Sequence, residues 1–88
     1  MKTNTKVRPL YVIANEIRQN WKPIHSDAVG YVEALECLNT IKDSYIMDGG
    51  REIVARFLNN ARTWQGDKAR EIKKELNAML KDSYVSIS

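Results

Sequence analysis

Two amphipathic helical periods meet at Gly66-Asp67, and no other feature constrains the fold of this chain as strongly. Ile53, Val54, Phe57, Leu58, Ala61 and Trp64 recur at spacings of three and four. Beyond the junction Ala69, Ile72, Leu76, Met79 and Leu80 repeat the pattern. At 3.6 residues per turn each set occupies one side of a helix. Neither stripe can be buried by its own helix, so the two must pack on each other and on the segments before them. Gly66 tolerates the positive φ that ends a helix cheaply, and Asp67 can cap the next one. The spacing predicts a third helix over about 49–64 and a fourth over about 67–81.

Upstream, Pro9 suits the first turn of a helix, where a missing N–H costs nothing. Leu10, Ile13, Ala14, Ile17 and Trp21 follow at helical spacing, and Pro23 forbids continuation. This predicts a first helix over about 9–21. Ser26 and Asp27 are good N-caps, and Tyr31, Ala34, Leu35, Leu38 and Ile41 extend a second stripe over about 27–42. Gly30 is a weak point, costing up to ~1 kcal/mol relative to Ala, and marks a candidate close approach of two backbones. In the connection from Asp43 to Gly50, Asp48 is the expected cap of the third helix, while Tyr45, Ile46 and Met47 fold over the core. Residues 1–7 and 82–88 read as frayed, mobile ends. The expectation is an all-α, compact four-helix domain spanning 1–88, ordered over about 8–81.

A chain of 88 residues suits one core. It buries only about 60–65% of the surface that its unfolded form exposes, so that core is thin. Such a core leaves room for a homodimer. One Cys excludes an internal disulfide. The apolar run from Leu10 to Ala14 is too short for a secretory signal or a membrane span, which predicts a cytoplasmic protein that avoids membranes. The formal net charge of +3, from fourteen basic and eleven acidic residues, is mild. It lacks the concentration of a dedicated nucleic-acid binder and has the wrong sign for a DNA mimic.

Reactive chemistry has little to work with. His25 and Cys37 each occur once and on different elements, which predicts no metal site and no cofactor. His25-Ser26-Asp27 holds the letters of a relay, but neighbours in a turn point apart, and a helix cap explains Ser26-Asp27. Cys37 beside the second stripe reads as a small buried filler. Asp48-Gly49-Gly50-Arg51 lacks the preceding strand and the Gly-Lys-Ser/Thr ending of a phosphate loop. The expectation is a protein that is not an enzyme.

Arg56 to Leu76 has the outline of a DNA-reading helix-turn-helix. Aligned on Gly66, however, Arg62 falls where that motif needs a small residue, and Asp67 would face phosphate. The outer side of the fourth helix carries Lys68, Arg70, Lys73, Lys74 and Lys81, interleaved with Glu71 and Glu75. Glu71 is placed to pair with Lys74, as on an ordinary solvated face. Trp21 and Trp64 each close an apolar stripe, a position that suits a core corner or, beside Arg18, Lys22, Arg62 and Gln65, a binding anchor.

One pattern combines Ile17-Arg18-Gln19-Asn20-Trp21-Lys22, Tyr31-Val32-Glu33-Ala34, Ile53 to Ala61 and Trp64 to Leu76. Over about residues 10–80 it resembles the uncharacterised small helical proteins of bacteriophages, prophages and mobile genetic elements. The resemblance brings no assigned residues with it. It implies a bacterial host cytoplasm and a gene carried by an invading element. With no catalytic constellation, that setting implies a non-catalytic accessory protein that binds a host or phage macromolecule, one form being an inhibitor of host defence such as an anti-CRISPR or anti-restriction protein. The partner expected first is a protein, met by Arg56, Arg62, Arg70, Lys73 and Lys74 with Trp64 or a tyrosine as buried anchor. The alternative is a small DNA- or RNA-binding regulator that uses basic helix four.

Overall fold

The structure, a computed structural model, describes residues 7–46 and 48–85. Among them the chain forms four helices, α1 (Leu10–Asn20), α2 (Ser26–Leu35), α3 (Gly50–Asn59) and α4 (Asp67–Val85). Between α2 and α3 lies a hairpin of two short strands, β1 (Ser44–Tyr45) and β2 (Asp48–Gly49). The fold is mostly helical, as the periodicity predicts; the hairpin is an addition to it.

In α1 the stripe of Leu10, Ile13, Ala14 and Ile17 is fully buried. Pro9 flanks the helix at φ −59° and its carbonyl accepts from Val12 and Ile13. The free N–H groups of a first helical turn need outside acceptors. Here Leu10 donates to the Asn39 carbonyl at 2.8 Å and Tyr11 to that of Leu38 at 3.0 Å. The helix stops at Asn20, before the cis Lys22–Pro23 peptide. α2 begins at Ser26, but its cap is His25 rather than Ser26 or Asp27: the His25 Nδ1 accepts from the Asp27 N–H at 3.1 Å.

The second helix ends at Leu35, well short of the 42 that the stripe predicts. Leu38 is buried and Ile41 half-buried at helical spacing, yet both reach the core from turns. The backbone of this segment is committed elsewhere. Its carbonyls cap α1, and the Asp43 carboxylate accepts the N–H groups of Thr40 at 2.9 Å and Asn39 at 3.0 Å. Those two donors hold the exposed Asp43 carboxyl below its ordinary range. Cys37, expected as a buried filler, is exposed.

The hairpin pairs Ser44 with Gly49 and Tyr45 with Asp48, antiparallel. Asp48 therefore belongs to a strand and does not cap α3. That end is closed instead by the Gly49 N–H on the Glu52 carboxylate at 3.4 Å. Gly50 donates to the Asp43 carbonyl at 2.6 Å, and a Cβ on it would stand 2.7 Å from the Ile41 carbonyl oxygen. The close backbone approach expected at Gly30 is thus at Gly50; Gly30 has open space around it.

α3 ends at Asn59 and not near 64. The Asn60 N–H bonds both the Arg56 and the Phe57 carbonyls, and the Ala61 N–H turns to the Leu58 carbonyl at 3.3 Å, so the last turn tightens and the helix stops. Ala61 and Trp64 stay buried but enter the core from a loop. Gly66 does adopt positive φ, +114°, though its place is at the start of α4, where its carbonyl accepts from Arg70. α4 runs to Val85, so the stretch after Lys81 expected to be mobile is helical through that residue. The expectations for residues 1–6, for Met47 and for 86–88 lie outside the described residues.

The buried side chains form one cluster in which α1 packs on α2 and α4, and α3 on α2 and α4. Phe57 meets Trp21 edge to face at 6.3 Å, and Trp21 stacks on Trp64 at 5.3 Å with planes 7° apart. On the far side Arg8 forks onto Glu75 through Nη2 at 2.7 Å and Nε at 3.0 Å, and its Nη2 also reaches Glu16 at 3.1 Å. This ties the chain before α1 to α4. The Arg8 hydrogen bond, opposed by partial burial, draws the Glu16 carboxyl below its usual value.

Two stability outcomes follow from these contacts. Gly50→Ala should cost roughly 1–3 kcal/mol in denaturant unfolding, because backbone must shift, while Gly30→Ala should gain about 0.5–1 kcal/mol. A depressed carboxyl contributes stability above its unfolded value, about 4, and loses it as pH falls through the folded value. Stability should therefore decline as acid protonates Glu16 and Asp43. Arg8→Met should cost roughly 1 kcal/mol at neutral pH, most of the attraction being screened at the surface, and should make the acid decline shallower.

Candidate functional site

The outer wall of α4 follows from its stripe. Ala69, Ile72 and Leu76 are buried and Met79 and Leu80 half-buried, so positions 70, 71, 74, 77, 78 and 81 face solvent. Arg70, Lys74 and Lys81 fall in one row, separated by helical steps. At the head of the row Arg70 bonds Asp67 at 2.6 Å, with that carboxylate 94% exposed. Glu71 pairs with Lys68 at 3.3 Å and not with Lys74 as the sequence suggests. Lys74 is left without an ion-pair partner among the described residues, in a shallow depression that it shares with Asp67, Arg70 and Glu71.

The remaining residues expected to bind a partner are dispersed. Lys73 bends away from the row: its Nζ donates to the Trp64 carbonyl at 2.6 Å, and burial pulls its ammonium below the usual lysine value. It serves to tie the loop before α4 to the helix. Arg56 stands on α3 beside Asp48 at 4.0 Å. Arg62 is exposed in a different depression, with His25, Asp27, Asn59, Asn60 and Thr63. Trp64 is 4% exposed and stacked on Trp21, so its indole is a core element and presents no anchor to a partner. Of the expected set, the geometry brings together only Arg70 and Lys74.

Sequence reasoning missed a further cation and a protruding side chain. Arg8 is engaged by two carboxylates, one of them on the last helix, a pairing that no local spacing reveals. Ile46, expected to fold over the core, projects from the hairpin tip, 82% exposed. Its signal in the sequence is the run Tyr45-Ile46-Met47 ahead of Asp48-Gly49-Gly50, a segment with turn residues and no helical stripe.

Among the described residues no group of three or more His, Cys, Asp or Glu side chains could hold a metal ion. No described helix is long and apolar enough to cross a membrane. Comparison with protein-family models, curated proteins and solved structures returned no match.

Truncating Trp64 tests its place in the core. Trp64→Ala should lower unfolding free energy by about 3–5 kcal/mol, and acrylamide should quench the indoles of the folded protein far less than those of the denatured chain.

Proposed function

We propose that the chain is a small non-catalytic accessory protein of a phage or mobile element, acting in the cytoplasm of a bacterial host by binding a host or phage protein complex. Inhibition of a host defence system, of the anti-CRISPR or anti-restriction kind, is the form this reading favours. The setting is supported by the sequence resemblance described above. The binding mode is supported by one observation, the mixed-charge wall of α4, in which Arg70 and Lys74 share a depression with Asp67 and Glu71.

That mixture favours a protein over a nucleic acid. A helix N-terminus attracts phosphate through its free N–H groups and dipole. Here Asp67 opens α4 with its carboxylate in solvent, which repels phosphate at that end. Alternating signs on one face instead match a protein surface with a complementary pattern, which sets orientation and excludes wrong partners. Arg70, Lys74 and Lys81 carry the contact, and Arg62 and Arg56 lie outside it.

The row of cations keeps the rival reading, a DNA- or RNA-binding regulator, within the reach of one experiment. The double variant Lys74→Glu, Lys81→Glu changes exposed side chains only and should alter stability by less than about 0.5 kcal/mol. Affinity capture from a bacterial lysate should retain a protein complex on the wild-type chain and lose it at least about tenfold on the variant. A partner held equally by both chains removes α4 from the interface. A shift of DNA or RNA by micromolar protein that fades steeply with salt would replace this reading with the nucleic-acid one.

A further inference from the structure

The ring that caps α2 can do so in only one of its two charge states. His25 is the single histidine of the chain. It stands at φ −58° ahead of Ser26, and its Nδ1 accepts the Asp27 N–H at 3.1 Å. Helix caps usually take this bond on the side-chain oxygen of Ser, Thr, Asn or Asp. An imidazole nitrogen accepts only while it carries no proton, and the imidazolium donates from both nitrogens. Imidazoles change charge between about pH 5 and 8. The capping form of His25 therefore carries its one ring proton on Nε2 and leaves Nδ1 bare.

A second station for the same nitrogen is close by. The Asp27 carboxylate lies 3.9 Å from Nδ1, just beyond hydrogen-bond distance. The two side chains are 46% and 71% exposed, so both have room to turn. The other first-turn bonds do not involve the ring, since Ala28 and Val29 donate to the His25 carbonyl at 2.9 and 3.2 Å. His25 and Asp27 share a shallow depression with Asn59, Asn60, Arg62 and Thr63. α3 brings only the uncharged Asn59 to it, and the loop after α3 brings Arg62, the other charged group of that lining.

We infer that His25 is a pH-operated cap: protonation moves Nδ1 from the Asp27 N–H to the Asp27 carboxylate and reverses it from acceptor to donor. The proton comes from solvent and stays on Nδ1, so no other group changes its charge. The Asp27 N–H is then left to water, which loosens the first turn of α2. A cation at this end of a helix also opposes the macrodipole, and the Asp27 carboxylate is the group placed to offset it. The depression changes as well. In the neutral form it sets one Arg against one Asp; in the protonated form it holds a second cation beside Arg62. The start of α2 thus answers acid with a local opening and a new surface charge.

NMR of the ring nitrogens and backbone amides of the full chain tests this, from about pH 8 down to full protonation of the ring. At the upper end His25 should be the Nε2–H tautomer. As the ring is protonated, exchange protection of the Asp27 amide, referenced to an unstructured chain at each pH, should fall at least about threefold. Protection of Val32, deeper in α2, should be kept. His25→Asn supplies a side-chain oxygen that caps without titrating, so its Asp27 amide should stay protected throughout. The Hα–Hβ couplings of His25 should report a change of rotamer on protonation in wild type and a smaller one in Asp27→Asn, where no carboxylate draws the ring. An Nδ1–H tautomer in the neutral ring overturns the proposal, as does an Asp27 amide whose protection ignores ring protonation. An equal fall in His25→Asn, or an equal fall at Val32, would place the acid response outside the cap and overturn it as well. Rotamer changes of the same size in wild type and Asp27→Asn would overturn the carboxylate as the second station.

Discussion

Three aromatic rings hold the chain in the one arrangement that gives α4 an outer wall. Trp21 follows α1, Phe57 is on α3 and Trp64 is in the loop that leads to α4. Phe57 and Trp64 both contact Trp21, edge to face and stacked respectively. Each such pair contributes about 0.5–1.5 kcal/mol beyond the area it buries. The larger effect is directional. With Trp64 pinned, Lys73 reaches back to its carbonyl, and the start of α4 is rotated so that Ile72 and Leu76 turn inward. Arg70 and Lys74 are left outside as a consequence.

The aromatic stack and the Arg8 clamp act at different places. Arg8 binds Glu75 from the segment before α1, so the first described residues are fastened to the last helix. In a domain this small, long-range ties of this kind matter because the core alone is thin. The loop after α2 adds a third tie, its carbonyls serving as caps for α1 while Asp43 holds its N–H groups. Shape and surface charge therefore arise together: each polar group spent on holding a loop is one fewer available to a partner.

The apolar stripes of α1, α3 and α4 were legible in the sequence because burial and helical period coincide over Leu10 to Ile17, Ile53 to Phe57 and Ala69 to Leu76. They misled where a loop inserts side chains at helical spacing by coincidence. Leu38, Ile41, Ala61 and Trp64 all keep the period, but the Asp43 carboxylate takes the N–H groups of Asn39 and Thr40, and the Ala61 N–H turns to the Leu58 carbonyl in place of a helical partner. Gly50 could be read as a turn residue; that it must pass the Ile41 carbonyl needed the tertiary fold. The charges of the wall were visible by position, whereas their pairing was not. Glu71 chose Lys68 over Lys74, and Lys73 turned to the Trp64 carbonyl, because rotamers answer to neighbours in space and not to spacing alone.

The most direct check on this account is a two-dimensional NOE spectrum of the folded protein in dilute solution. Cross-peaks between the indole protons of Trp21 and Trp64, and between Trp21 and the Phe57 ring, are predicted, with the indole resonances shifted by the neighbouring ring. Two indoles at the positions of free tryptophan, with no contact to each other or to Phe57, would contradict the packing on which the wall of α4 depends.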